Sequence, residues 1–469
     1  MLFSSLTFIF IFLPATLEIY YLAKEKYRNY ILLAVSLLFY SWGEPRFIAL
    51  MILSIVANYI FALLIDKFKA KKQRHIRKLF FILSLVFNIG MLFGFKYFNF
   101  FAASANRFLA FNIPMLNITL PIGISFYTFQ ILSYVIDVYR KKVPVQKNIF
   151  WLGAYISFFP QLIAGPIVRY ETIMSQLKKR QHSLDKFTAG LRRFIVGFMK
   201  KVIIANNVAL IADTIFDSTH FGELGGVLVL LALLAYTVQI YYDFSGYSDM
   251  AIGLGKMFGF DFLENFNYPY ISQSITDFWR RWHISLGSWF RDYVYIPLGG
   301  NRVPKWRWVL NIMIVWALTG LWHGASWNFI LWGLYFGVVL LVEKLFLGKL
   351  LAKIPALFRW LYAFFLINVG WLLFRLTSLG AIKVALTQII TFKSSDLVGF
   401  LVDNYSTVNN IFYLILGIIF MFPISGSFNK IKHNPVALFF YDFLLIIGFI
   451  FSIMLLINNS YNPFIYFRF

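Results

Sequence analysis

Apolar runs recur along this chain, separated by short polar or basic stretches. A membrane-crossing helix needs roughly 20 mostly apolar residues. Runs at 2–21, 47–65, 79–95, 121–138, 150–168, 225–242, 308–322, 329–347, 357–374 and 437–457 meet or approach that length, and shorter ones lie at 30–42 and 410–422. Three stretches are less regular. Pro160 and Pro166 interrupt 150–168, predicting a broken helix around 158–170. Residues 178–201 mix charged with apolar positions, as in helices lying in the membrane interface. Residues 268–295 are aromatic but too polar to cross lipid alone. The pattern predicts an all-α polytopic membrane protein of about 11 to 13 transmembrane or re-entrant helices, the broken ones tolerated only inside protein or a watered cavity.

Composition agrees: 60% of the 469 residues are hydrophobic and 13% are charged, about half the share in soluble domains. Residues 1–457 therefore read as one membrane domain and 458–469 as an aromatic C-terminal tail. The amino-terminal run lacks a basic start and a small-residue cleavage site, so it is expected to stay as the first helix. The net charge of +23 would suggest nucleic acid in a soluble protein, but here it reads as positive-inside bias. With the N-terminus outside, the basic clusters at 24–28, 67–78 and 140–142 all fall on the cytoplasmic side. Taking the 430–433 cluster as cytoplasmic too puts the tail outside. There is no cysteine, which excludes disulfides, a thiolate nucleophile and cysteine-based metal sites. Walker, dinucleotide, Gly-x-Ser-x-Gly and paired metal-ligand patterns are absent too, so no metal is expected.

Of the six histidines, His75, His182, His220 and His433 lie in polar or basic stretches and read as solvated. His323 ends an apolar span, in Leu318-Thr319-Gly320-Leu321-Trp322-His323-Gly324. An ionisable group at membrane depth is costly and usually marks a pathway or site. Gly320 and Gly324 leave room for a backbone or a ligand, and Trp322 and Trp327 can wall a cavity. A proton-transfer role leads over a structural histidine bonded to a neighbouring helix. In the 268–295 segment, Phe278, Trp282, Leu286 and Trp289 recur at helical spacing, Asp277 and Arg281 can pair, and Arg280 and His283 can share a face. This segment either anchors in headgroups or sets His283 and Arg280 against an acyl or phosphate group. Asp243 and Asp249, beside a span, read first as a hydrogen-bonded tie between helices. Arg169 is a weaker candidate for an anionic ligand.

The motifs Tyr242-Asp243-Phe244-Ser245-Gly246-Tyr247-Ser248-Asp249, Asp277-Phe278-Trp279-Arg280-Arg281-Trp282-His283 and Leu321-Trp322-His323-Gly324 together resemble the membrane-bound O-acyltransferase family. The resemblance runs over nearly the whole chain. It is nearest the bacterial branch with the alginate and peptidoglycan O-acetylation membrane proteins and the teichoic-acid D-alanyl transfer protein. It implies helices around a central tunnel, His323 as the signature residue and principal base, and His283 as either a second catalytic residue or an orienting or gating group. Arg280, Trp322, Trp327, Asp243, Asp249 and Arg169 are then expected to line the tunnel or meet substrate. The tail Asn462-Pro463-Phe464-Ile465-Tyr466-Phe467-Arg468-Phe469 is similar to the aromatic tail on the small partner of the D-alanyl system, making Tyr466 a candidate acyl carrier; an aromatic membrane anchor is the competing reading. The implied activity is acetyl transfer from a cytoplasmic thioester, acetyl-CoA, with no permanently bound cofactor. The acetyl group passes to a periplasmic SGNH esterase-like partner that modifies a cell-envelope polysaccharide: peptidoglycan first, alginate or another exopolysaccharide as the alternative. The implied location is a bacterial cytoplasmic (inner) membrane with both termini periplasmic. A proton-coupled transporter without covalent chemistry and a scaffold for periplasmic partners are the readings from other classes.

Overall fold

The computed structural model describes residues 2–108, 111–392, 396, 399–400, 403–423, 434–458 and 461–463. Every regular element among them is helical. Seven helices are long and apolar enough to cross a membrane: Ile48–Ala70, Arg74–Ala105, Leu184–Phe216, Gly226–Met257, Trp327–Leu351, Ala356–Arg375 and Pro435–Asn458. Phe8–Leu22, Leu379–Ile390 and Thr407–Phe420 are shorter apolar helices. The chain is thus a multi-pass membrane protein. Leu379–Ile390 had no counterpart among the apolar runs, because Lys383, Thr387 and Gln388 dilute it.

Residues 178–201 correct the sequence reading. They do not form separate interfacial helices; from Leu184 they enter one continuous helical run to Phe216, joined at Lys200–Ala205 by a π-helical turn. Within this run Lys200 and Lys201 are each paired with a carboxylate. The predicted break at 158–170 is present: Ile149–Ser157 stops at Phe158, and Phe159–Leu162 restarts with Pro160 in its first turn.

The chain divides into two compact units, residues 1–194 with 250–263, and residues 195–249 with 264–469. The first holds a ring cluster of Phe3, Phe8, Phe39 and Phe159. Its Asn58 and Asn88 side chains exchange hydrogen bonds of 3.0 and 2.7 Å between two spans, and both are fully buried. Interhelical amide pairs of this kind bind helices that lipid gives no hydrophobic reason to associate. The second unit packs a large aromatic core around Trp282, Trp332, Phe336 and Trp371. Backbones there approach closely at small residues: a Cβ on Gly246 would sit 2.8 Å from the Gly197 carbonyl oxygen.

Candidate functional site

The site is built in the second unit around a helix that breaks at a histidine. Ile275–Arg281 starts under strong control: the Ser274 hydroxyl accepts from Asp277 N, and the buried Glu343 carboxylate accepts from Ile275 N (2.6 Å), Thr276 N (2.8 Å) and Thr276 Oγ1 (2.6 Å). A carboxylate at a helix N-terminus satisfies amides that have no intrahelical acceptor. Asp277 and Arg281 pair at 3.0 Å, as their spacing predicted. The helix then stops. Trp282 is extended and His283 takes a left-handed conformation, φ 45° and ψ 52°, before Ile284–Phe290 begins. The anticipated single aromatic helix is therefore two short ones. The face that Arg280 and His283 were expected to share does not exist: His283 is buried and Arg280 is exposed.

A non-glycine residue with positive φ persists only where its surroundings hold it there. Here Asn265 does so. Its carbonyl accepts Ile284 N at 3.0 Å, while its side-chain Oδ1 accepts Ser285 N (3.1 Å) and Ser285 Oγ (2.9 Å) and lies 3.2 Å from His283 Nδ1. A backbone N–H can only donate, so the Asn265 atom facing it is the oxygen. That oxygen can only accept, so Nδ1 of His283 carries the proton. In the neutral ring Nε2 is then the bare, basic nitrogen. Nε2 is buried and has no hydrogen-bond partner among the described residues. The ring is held edge-on by Phe244 at 4.6 Å and flanked by Trp322 at 5.8 Å.

His323 is the last residue of the helix Lys305–His323 and is 7% exposed. Trp322, Trp332 and Phe374 meet its ring edge-on at 5.0, 5.0 and 5.2 Å. Trp322 thus touches both imidazoles. The room at Gly320 and Gly324 is taken by the chain itself: the Phe329 carbonyl lies against Gly320 and the Phe329 ring against Gly324, where a Cβ would collide. Trp322 is buried against both histidines, whereas Trp327 is 53% exposed and starts the next helix.

Asp243 and Asp249 lie on the helix Gly226–Met257 and are engaged by lysines of the π-helical turn, Asp243 with Lys201 at 2.5 Å and Asp249 with Lys200 at 2.7 Å. Asp243 adjoins Phe244, whose ring supports His283. Arg169 belongs to the first unit, half-buried, at the N-terminus of Tyr170–Lys178. Tyr466 and the 430–433 cluster lie outside the described residues. Sequence reading missed Asn265, Glu343 and Lys201. Asn265, in Asp261-Phe262-Leu263-Glu264-Asn265, carries no local signal. Glu343 and Lys201 were visible as charges in apolar surroundings.

This arrangement sets two buried imidazoles against one tryptophan in a multi-pass helical protein. A model of the membrane-bound O-acyltransferase family matches residues 140–378. A probable alginate O-acetylase of Azotobacter vinelandii is 47% identical over 386 residues, covering 81% of this chain and 76% of that protein. A peptidoglycan O-acetyltransferase of Helicobacter pylori is 36% identical over 420 residues, 82% and 79% respectively. A teichoic acid D-alanyltransferase of Bacillus subtilis is 33% identical over 246 residues, 50% and 61%. The chain belongs to the membrane-bound O-acyltransferase family and is an acyltransferase.

Proposed function

We propose that this protein takes an acetyl group from a thioester at the cytoplasmic face and passes it, through Tyr466, to an acceptor outside that O-acetylates alginate or a related exopolysaccharide. The observation that carries the chemistry is the pair of buried imidazoles bridged by Trp322, with the His283 tautomer fixed so that Nε2 is bare. Phenol, with a pKa near 10, is a poor nucleophile unless a base removes its proton. His323 takes that proton, and His283 is the second acceptor through which the pair holds it. The Tyr466 oxygen attacks the thioester carbonyl, the carbon–sulfur bond breaks, and the imidazole returns the proton to the leaving thiolate. The acetyl ester on Tyr466 then transfers to a hydroxyl of a periplasmic esterase-like partner, regenerating the phenol. With acetyl-CoA as donor, acetyl crosses the bilayer while the CoA stays inside.

The polysaccharide reading follows the higher identity to the alginate enzyme; the 36% identity to a peptidoglycan O-acetyltransferase keeps peptidoglycan as the second reading. The test supplies labelled acetyl-CoA to the full protein in membranes and maps the label by mass spectrometry. Label on Tyr466, lost in Tyr466→Phe and reduced at least about 100-fold in His323→Ala, supports the relay. Full polysaccharide acetylation by Tyr466→Phe overturns it, and activity without any thioester donor favours a transporter. Matching acetylation of alginate against peptidoglycan in cells deleted for the protein decides the acceptor.

A further inference from the structure

The tail does not leave the last span freely. Each of the three residues 461–463 is tied to the same helical run. The Tyr461 hydroxyl donates to Asp213 Oδ2, Asn206 Nδ2 donates to Asn462 Oδ1 at 3.2 Å, and the Lys201 ammonium donates to the Pro463 carbonyl. The three partners line up because of the π-helical turn Lys200–Ala205. A π-turn stacks residues five apart, so Lys201 lies beneath Asn206. Asp213 is seven residues further, two α-turns on. In an uninterrupted α-helix Lys201 would be rotated roughly 140° from Asn206 and the ladder would lose a rung.

The end rungs are themselves braced. Lys201 is buried and ion-paired with Asp243. Asp213 is paired at 2.9 Å with Arg375, which also holds Asp217. The ion-pair partner of Lys201, Asp243, directly precedes Phe244, the ring on which His283 rests. Tyr466 is the third residue after Pro463, and an extended chain of three residues reaches at most about 11 Å.

We infer that residues 461–463 form a permanent latch, and that Lys201, Asn206 and Asp213 are positioning residues that set the register in which the acyl-accepting tail is presented. The latch stands on the three ties alone; its catalytic meaning rests on the reading of Tyr466 as acetyl acceptor.

The cysteine-free chain allows a clean test in the full protein in membranes. Asn206→Cys with Asn462→Cys removes the middle rung and places two thiols where the amides meet. Before cross-linking, acetyl transfer to Tyr466 falls about tenfold or more with KM for acetyl-CoA unchanged, as expected when a reacting group is misplaced rather than lost. A short bis-methanethiosulfonate reagent then bridges the pair, seen as loss of maleimide labelling, and restores transfer; reductant cancels both effects. A loosened fold would not be rescued this way. Failure of the thiols to bridge overturns the latch. Bridged protein that is inactive until reduced also overturns it, because the tail must then leave its ladder during turnover. Bridging that succeeds while Tyr466 takes no label even in the parent chain leaves the latch standing and overturns the relay.

Discussion

At the residue scale the centre depends on an asparagine that does no chemistry. Asn265 Oδ1 gathers three donors, and one of them, His283 Nδ1–H, fixes which ring nitrogen is basic. Asn265→Asp keeps an oxygen in that place and should retain fold and most activity. Asn265→Leu removes the oxygen that accepts from Ser285 N–H and His283 Nδ1–H, at a cost of about 1–3 kcal/mol for each bond lost. It also releases the tautomer, so acetyl transfer should fall by about 100-fold. The labelled-acetyl assay, with thermal unfolding in parallel, checks this; equal activity of the Leu and Asp variants would show that the tautomer is immaterial. His323 was readable as the buried histidine of an apolar span, and its burial matches that expectation. The bare nitrogen of His283 was not readable, because it is set by a side chain 18 residues earlier.

At the element scale, interruptions matter more than the spans. The break at His283 turns a would-be surface stripe into a buried ring, and the π-turn at Lys200–Ala205 re-registers a helix so that one side faces the tail. Neither follows from hydropathy, which reads averages over a turn or more and not the insertion of one residue. Close helix packing is a second element-scale device. Gly246→Val puts side-chain atoms where the Gly197 carbonyl already lies, and overpacking of this kind costs roughly 1–3 kcal/mol. The unfolding midpoint in detergent should drop by several degrees, with Gly246→Ala intermediate; a midpoint unchanged in both would show that the two backbones do not meet there. The correction at 178–201 has the same origin. Lys200 and Lys201 looked like interfacial charges because the carboxylates that neutralise them, Asp249 and Asp243, are over 40 residues away in sequence.

At the scale of the whole molecule, stability should show a pH edge that comes from the first unit. His182 was read as a solvated loop histidine, yet it sits between Tyr20, 3.0 Å from Nε2, and Arg28, 3.2 Å from Nδ1. Burial, followed by the Arg28 and Arg180 guanidinium groups, holds its pKa below the usual histidine value. A depressed pKa in the folded state means that the unfolded chain takes up the proton first. The stabilisation is therefore complete above about pH 6.5, the unfolded value, and is lost as pH falls from there through the lower folded value. The thermal midpoint of the purified protein should fall with acid over that window, and His182→Asn should flatten the slope; an identical slope in the variant would assign it to other groups.

The sequence by itself determined the class of this protein. Apolar runs of bilayer length, basic clusters between them and a histidine ending an apolar span are local properties, and lipid acts on each helix separately. The motifs around Asp243, Asp277 and His323 were enough to point to the acyltransferase family. What only the tertiary structure decided is which groups meet. Asn265 reaches His283, Glu343 caps the helix at Ile275, and Lys201 joins Asp243 to the tail carbonyl. Each of these contacts depends on side chains far apart in sequence being brought within about 3 Å, the distance over which a hydrogen bond acts, and a pattern of neighbours along the chain holds no record of that.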